Sequence, residues 1–184
     1  MGIFFDEETT TYCVDYDSSQ GYIVIPAYLL LTNASTDLPD MRAWEARLVV
    51  QGNSSIPTST WNVVGDSSWG HYQDYIIGVV PYPFTNPVTV LASIMLQFIG
   101  DETDPWCTIS VGRVTGSLTF PVGPGYTASD GWTDPSGTFH PIECNPIAGT
   151  WGEPTAWINH PDGPCDVVNN ESMTWGHVKS LYED

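Results

Sequence analysis

The cysteines and two of the histidines are the residues whose types and spacing could crosslink the chain or bind a metal. Cys13, Cys107, Cys144 and Cys165 are an even set in a chain rich in turn residues, which is typical of disulfide-bonded proteins from oxidising compartments. We expect Cys144 to pair with Cys165, because both lie in the loop-rich last third. We expect Cys13 to pair with Cys107, which would join the first strand to a late one.

A zinc site is the alternative use of two of these cysteines. His140, Cys144, His160 and Cys165 follow an H-x3-C and H-x4-C spacing, and two cysteines with two histidines can hold a tetrahedral zinc ion. This spacing differs from the tight pattern of zinc fingers, and an oxidised cysteine cannot ligate zinc. Disulfides are therefore favoured over zinc.

Oxygen ligands are concentrated in one acidic turn. Asp101, Glu102 and Asp104 lie together, and carboxylates from loops are the ligands that Ca²⁺ prefers, which makes Ca²⁺ the candidate cofactor. The alternative is a solvated turn, and it is favoured because acidic residues are common along the whole chain.

Three Asn-x-Ser triplets in predicted loops are candidate N-glycosylation sites. They begin at Asn33, Asn53 and Asn170.

The eight tryptophans raise the hypothesis of carbohydrate binding, because sugars stack on exposed indole rings. Trp44 lies on the inward face that alternation predicts for its strand and is expected in the core. Trp132, Trp151 and Trp157 lie in or beside predicted loops, and they are the candidate sugar-stacking residues. The alternative for each is a loop side chain folded over the edge of the sheet, with its indole N–H bonded to a carbonyl.

The composition excludes several classes of protein. Hydrophobic residues make up 41% of the chain, so intrinsic disorder is excluded. The chain has 22 acidic and four basic residues, and its formal net charge is −18. Nucleic acids and anionic membranes would be repelled by this charge, and no apolar segment is long enough for a transmembrane helix, so we expect no membrane insertion.

Alternating apolar residues predict β-strands along most of the chain. Residues 22–32 place Ile23, Ile25, Ala27, Leu29 and Leu31 on one face. The strand at 42–50 places Trp44, Ala46, Leu48 and Val50 on one face, and the strand at 88–99 does the same with Val90, Ala92, Ile94, Leu96 and Phe98. Further strands are predicted at residues 2–5, 60–64, 72–80, 107–113, 117–122 and 138–142.

About nine short strands separated by turn residues predict an all-β fold, a single β-sandwich of the cohesin-like or jelly-roll-like kind. Residues 1–168 form the predicted domain, in which 145–168 are a loop-rich layer packed on the sandwich. Residues 169–184 form a tail, a short helix or docking segment with Trp175, Val178, Leu181 and Tyr182 on one side.

Two resemblances accompany this prediction. The segments AYLLLTN (27–33), AWEARL (43–48), YIIGV (75–79) and VLASI (90–94) follow one another as in cohesin-like β-sandwich modules. The N-terminal GIFFDE and the C-terminal TWGHVKSLY are similar to the ends of a group of uncharacterised secreted bacterial proteins with a T-W-G-x-V-K-x-L-Y tail. These resemblances imply export and a sandwich fold, and they imply no activity.

The chain contains no nucleophile elbow, P-loop, H-E-x-x-H helix or EF-hand loop, so we expect a protein without enzymatic activity. The leading hypothesis is a secreted, extracellular or cell-surface subunit with a structural or adhesive role. It would contact a protein partner or copies of itself, in a filament or matrix, by pairing of edge strands. The interacting residues would be Ile3, Phe4 and Phe5, or the tail. The alternative is a module that binds polysaccharide through its loop tryptophans.

Overall fold

The structure is a computed structural model that describes residues 1–16, 22–32, 40–52, 61–65, 67–68, 73–84, 87–99, 106–118, 123–129, 138–141, 154–160 and 165. These residues form strands and turns and contain no helix. The strands are β1 (Gly2–Phe4), β2 (Cys13–Val14), β3 (Tyr22–Thr32), β4 (Asp40–Gly52), β5 (Asn62–Val63), β6 (Ser67–Ser68), β7 (Asp74–Pro83), β8 (Val88–Ile99), β9 (Cys107–Gly112), β10 (Gly125–Ser129), β11 (Thr138–Pro141) and β12 (Pro154–Ile158).

The strands form two sheets that pack on each other as a β-sandwich. The smaller sheet has the order β1-β3-β8-β5. The larger sheet has the order β11-β10-β4-β9-β12-β2, with β7 paired to β4 and β6 paired to β7. The predicted all-β sandwich is therefore confirmed, with twelve strands in the described residues, of which several are only two residues long.

The core contains the inward faces that alternation predicts for β3 and β4. Leu29 and Leu31 of the smaller sheet and Trp44 and Leu48 of the larger one are almost completely buried in the same apolar cluster. Trp44 is the largest of the fully buried side chains, and its indole nitrogen donates to the Val64 carbonyl at 3.3 Å. A buried indole thus retains a hydrogen-bond partner, as its polar group requires.

A β-bulge changes the inward face at the start of β8. Leu29 of β3 pairs with Ala92, but Leu30 pairs with Val90, so Leu91 is the extra residue. Leu91 is fully buried in the core, whereas Val90 is only half-buried. The predicted inward position of Val90 is therefore wrong, because the bulge adds one residue and reverses the alternation on its N-terminal side.

The predicted loop layer at 145–168 contains a strand of the larger sheet. β12 lies between β9 and β2, with Ala156 and Ile158 fully buried in the core. Its apolar pattern is too short to identify from alternation, because only two inward positions recur. In the predicted strand at 117–122, the described part is a turn in which Ser117 N donates to the Val114 carbonyl at 3.1 Å.

Residues 1–16 supply an outer strand to each sheet. β1 pairs antiparallel with β3 at one end of the smaller sheet, and β2 pairs parallel with β12 at one end of the larger sheet. Ile3 and Phe5 belong to the core cluster, and Phe4 is only 1% exposed. These three residues, predicted to interact with another molecule, are thus packed within their own chain.

Candidate ligand-binding surface

Trp157 lies on the outer face of the larger sheet. Its neighbours in β12, Ala156 and Ile158, are both fully buried in the core. Because successive side chains of a strand point to opposite faces, Trp157 points away from the core. It is half-buried there, and it is the one predicted sugar-stacking residue that lies within the described part of the chain.

Two other rings contact the Trp157 indole. The Tyr12 ring meets it edge-on, with centroids 6.4 Å apart and an interplanar angle of 72°. The imidazole of His160 lies with its centroid 5.3 Å away at an angle of 53°. Tyr12 is 37% exposed, and His160 is partly exposed. The three rings, called the aromatic cluster below, form an angular apolar surface that solvent reaches.

A row of polar side chains extends from this cluster across the sheet. Trp157 pairs with Thr108 of β9, and Thr108 pairs with Gln51 of β4. The neighbours of Thr108 in β9, Cys107 and Ile109, are in the core, so Thr108 shares the outer face with Trp157. Directly opposite residues in such a row have Cβ atoms about 5 Å apart, which places the Thr108 hydroxyl beside the indole and the Gln51 amide one strand farther away.

The backbone of residues 12–16 is fixed to β12 by several hydrogen bonds. Trp157 N donates to the Tyr12 carbonyl and Asn159 N to the Val14 carbonyl, each at 2.9 Å. The Asn159 side chain accepts from Tyr16 N at 2.6 Å and donates to the Tyr16 carbonyl at 3.1 Å. Asn159 has φ +51°, in the left-handed region that asparagine tolerates better than most residues. These bonds hold Tyr12 against Trp157.

A disulfide joins Cys13 to Cys165 beside the aromatic cluster, with the Cα atoms 5.4 Å apart. The N–H of Cys165 also donates to both carboxylate oxygens of Asp15, at 3.1 and 3.3 Å. The predicted partners of these cysteines, Cys107 for Cys13 and Cys144 for Cys165, are therefore wrong. Cys165 is also not available to the hypothetical zinc site, because it is oxidised.

Cys107 is a free thiol in the core rather than a crosslinking residue. It is 0% exposed, and burial raises its pKa to about 12. Because the thiolate is the reactive form, this cysteine is chemically inert in the folded protein. Its place is set by the alternation of β9, whose inward residues Cys107, Ile109 and Val111 are all fully buried.

A second polar cluster surrounds Glu45, one of the buried polar residues. Glu45 is 5% exposed and accepts a hydrogen bond from the Ser117 hydroxyl. Burial raises the pKa of its carboxyl, the Ser117 hydrogen bond opposes that rise, and the negative charge of Asp74 adds to it. Arg47 pairs with Asp74 at 3.5 Å and donates to the Thr115 hydroxyl. These bonds fasten the turn after β9 to β4 and β7.

Most of the other predicted site residues lie outside the described residues, so their predictions stay untested. They are the calcium candidates Asp101, Glu102 and Asp104, the sequon residues Asn33, Asn53 and Asn170, the tryptophans Trp132 and Trp151, the tail residues Trp175, Val178, Leu181 and Tyr182, and Cys144. Among the residues that the structure describes, no three His, Cys, Asp or Glu side chains form a group that could hold a metal ion.

Sequence patterns do not identify Tyr12, His160, Thr108 and Gln51 as members of this surface. They come from four separate segments, and the parallel pairing of β2 with β12 joins residues far apart in the chain. The sequence offers one signal for this surface, since Tyr12 precedes Cys13 and His160 follows Trp157 closely. This signal becomes informative only when the disulfide partner of Cys13 is known.

In comparisons with known proteins, no family model, curated protein or solved structure matches this chain. The resemblances to cohesin-like modules and to secreted proteins with a similar tail stay predictions. Within the described residues, no helix is long and apolar enough to cross a membrane.

Proposed function

We propose that the protein is a non-enzymatic, secreted adhesive module that binds polysaccharide through the outer face of its larger sheet. The observation that carries this proposal is the aromatic cluster of Tyr12, Trp157 and His160, which lies in register with the polar side chains of Thr108 and Gln51. The Cys13–Cys165 disulfide supports an extracellular location, because such bonds persist in oxidising compartments.

The chemistry of the surface fits a sugar chain. A pyranose ring offers C–H groups on its flat faces, and these pack against the electron-rich face of an indole. Its hydroxyl groups lie around the rim, where Thr108, Gln51 and the His160 imidazole can donate or accept hydrogen bonds. The outer face of a sheet offers an open site, so a long polymer can pass over it without an end having to enter.

Fluorescence titration with soluble polysaccharides tests the proposal, since a sugar on Trp157 changes the emission of the indole. We expect Trp157→Ala to weaken binding by about 30-fold or more, which is the loss of about 2 kcal/mol typical of a central tryptophan. Trp157→Phe, which keeps an aromatic ring, should retain part of the affinity. Met95→Ala is the matched control, because Met95 is 54% exposed on the smaller sheet.

Binding that survives Trp157→Ala would place the ligand elsewhere, and failure of every polysaccharide to bind would refute the function. Circular dichroism and thermal unfolding of each variant show whether a loss of binding reflects a loss of the fold. The Trp157→Ala change leaves the core side chains Ala156 and Ile158 in place, so we expect the variant to fold.

Self-assembly is the second candidate, and the position of β1 favours it. Among the described strands, β1 pairs with β3 and with no strand on its other side, so this edge could receive a strand from another copy. Light scattering and negative-stain imaging of the intact, oxidised protein test this candidate. Filaments or large particles would support it, and a monomer of 20.2 kDa at all concentrations would exclude it.

A further inference from the structure

The charged side chains of the N-terminal segment that supplies Tyr12 and Cys13 are all acidic. Residues 1–16 contain Asp6, Glu7, Glu8 and Asp15 and no Lys, Arg or His. Phe5 N donates to the Thr11 carbonyl at 2.7 Å, which closes a loop directly before Tyr12. Glu7 and Glu8 are exposed on this loop. The aromatic cluster therefore has carboxylates on the segment that leads into it.

Asp6 and Asp15 add two more carboxylates to this segment. Burial acts to raise the pKa of Asp6, but hydrogen bonds from Thr11 and Thr10 outweigh it and lower the pKa. Asp15 follows Cys13 by two residues, directly after β2. It is exposed, and its carboxylate holds the N–H of Cys165.

The arginines of the described residues lie farther away. Arg47 is four residues before Gln51 on β4, which is about 13 Å along the strand, and it is paired with Asp74. Arg113 is exposed five residues beyond Thr108, which is about 16 Å along β9 and the following turn. The whole chain carries a net charge of −18, so its field attracts cations and repels anions.

The arrangement of the rings is also suited to a cation. Indole is the strongest cation–π partner among side chains, and an ammonium group binds over its face within about 6 Å of the ring centre. Tyr12 and His160 meet Trp157 at steep angles of 72° and 53° rather than stacking flat on it. Rings set at such angles enclose a positive group from more than one side, as in aromatic cages for ammonium ligands.

We infer that the ligand of this surface is a cationic polysaccharide, a polymer of amino sugars with free ammonium groups. This inference rests on the proposed polysaccharide-binding function and assigns its substrate class. A sugar ring packs on Trp157, and its ammonium groups lie between the aromatic cluster and the carboxylates of Glu7, Glu8 and Asp15. Polymers of uronic acids or sulfated sugars are excluded by the same charges.

The test compares three oligosaccharides of equal length on the intact, oxidised protein at about pH 7, which lies below the usual pKa of an amine and above that of an imidazole. They are a glucosamine oligomer, its N-acetylated counterpart with the same backbone and no charge, and a galacturonate oligomer. We expect the glucosamine oligomer to bind about tenfold more tightly than the N-acetylated one, and the galacturonate oligomer not to bind. The advantage should shrink as salt rises from about 50 to about 300 mM.

Single carboxylate variants locate the source of the preference. Glu7→Gln and Glu8→Gln should each weaken binding of the glucosamine oligomer by about twofold to fivefold and leave the N-acetylated oligomer unaffected. Asp40→Asn is the control, since it removes the same charge at the opposite end of β4, about 36 Å from Gln51 along the strand. An equal effect of Asp40→Asn would attribute the preference to net charge and overturn the assigned site.

The outcomes separate this inference from the proposed function. Equal or tighter binding of the N-acetylated oligomer, lost in Trp157→Ala, would overturn the cationic class and leave the polysaccharide-binding function standing. Failure of all three oligomers and of other polysaccharides to bind would refute both. Tight binding of the glucosamine oligomer that Trp157→Ala does not change would also overturn the inference, because the charge would then act without the aromatic cluster.

Discussion

Replacing both Cys13 and Cys165 by serine should destabilise the protein strongly. The disulfide links residues 152 positions apart, so it constrains most of the unfolded chain. In the folded state it ties β2 and residue 165 together next to β12, where hydrogen bonds from Trp157 and Asn159 already hold the segment. We therefore expect the variant to fold and to unfold more easily.

The length of the closed loop sets the magnitude of the effect. The loop-closure entropy of a crosslink across about 150 residues corresponds to about 5 kcal/mol at 25 °C. Domains of this size have total stabilities of about 5–15 kcal/mol, so the loss is a large part of the whole. For a chain of 184 residues, it corresponds to a fall in Tm of roughly 10–20 °C.

Equilibrium unfolding in urea measures this difference. The oxidised wild type is compared with the Cys13→Ser, Cys165→Ser double variant and with the wild type after reduction, which should match the double variant. Cys144→Ser is the control, and we expect it to leave stability unchanged because Cys165 is paired with Cys13. Peptide mapping of the non-reduced protein identifies the bonded cysteines directly.

A loss below about 1 kcal/mol in the double variant would refute the reasoning from loop length. A large loss in Cys144→Ser, with a peptide that joins Cys144 to Cys165, would show that the pairing predicted from the sequence forms instead. In that case the contact between Tyr12 and Trp157 would depend on hydrogen bonds alone.

Three further predictions concern charge and burial. Thermal unfolding should shift to higher temperature as salt rises from about 0.1 to about 1 M, because screening weakens the self-repulsion of a net charge of −18; an unchanged Tm would contradict this. Burial raises the pKa of the Glu45 carboxyl in the folded protein. This carboxyl therefore contributes most to stability at pH values below its pKa in the unfolded chain, and its contribution declines as the pH rises through its pKa in the folded protein. Glu45→Gln should therefore gain in Tm relative to wild type between about pH 4 and pH 7, and a difference independent of pH would argue against a buried charge. Cys107 should resist alkylation in the folded protein and react fully in denaturant, since it is 0% exposed with a pKa of about 12; failure to react in denaturant would reveal a disulfide.

The inward faces of the long strands could be predicted because the side chains of a strand alternate with a period of two. The pattern around Trp44 in β4 and around Leu29 in β3 specifies which residues enter the core, and the structure buries them. The same rule fails at Val90, where one extra residue in β8 reverses the alternation. A bulge depends on the partner strand, and alternation along one strand contains no information about it.

The amino-acid sequence by itself determined the β-sandwich class, the acidic charge and the inward residues of β3 and β4, because composition and alternation act locally along the chain. Only the tertiary structure decided that Cys13 pairs with Cys165, that Cys107 remains a buried thiol and that Tyr12 meets Trp157. These contacts depend on the pairing of β2 with β12 and of β12 with β9. Such pairings join distant segments, and the packing of the whole sandwich selects among the many partners that each short strand could have.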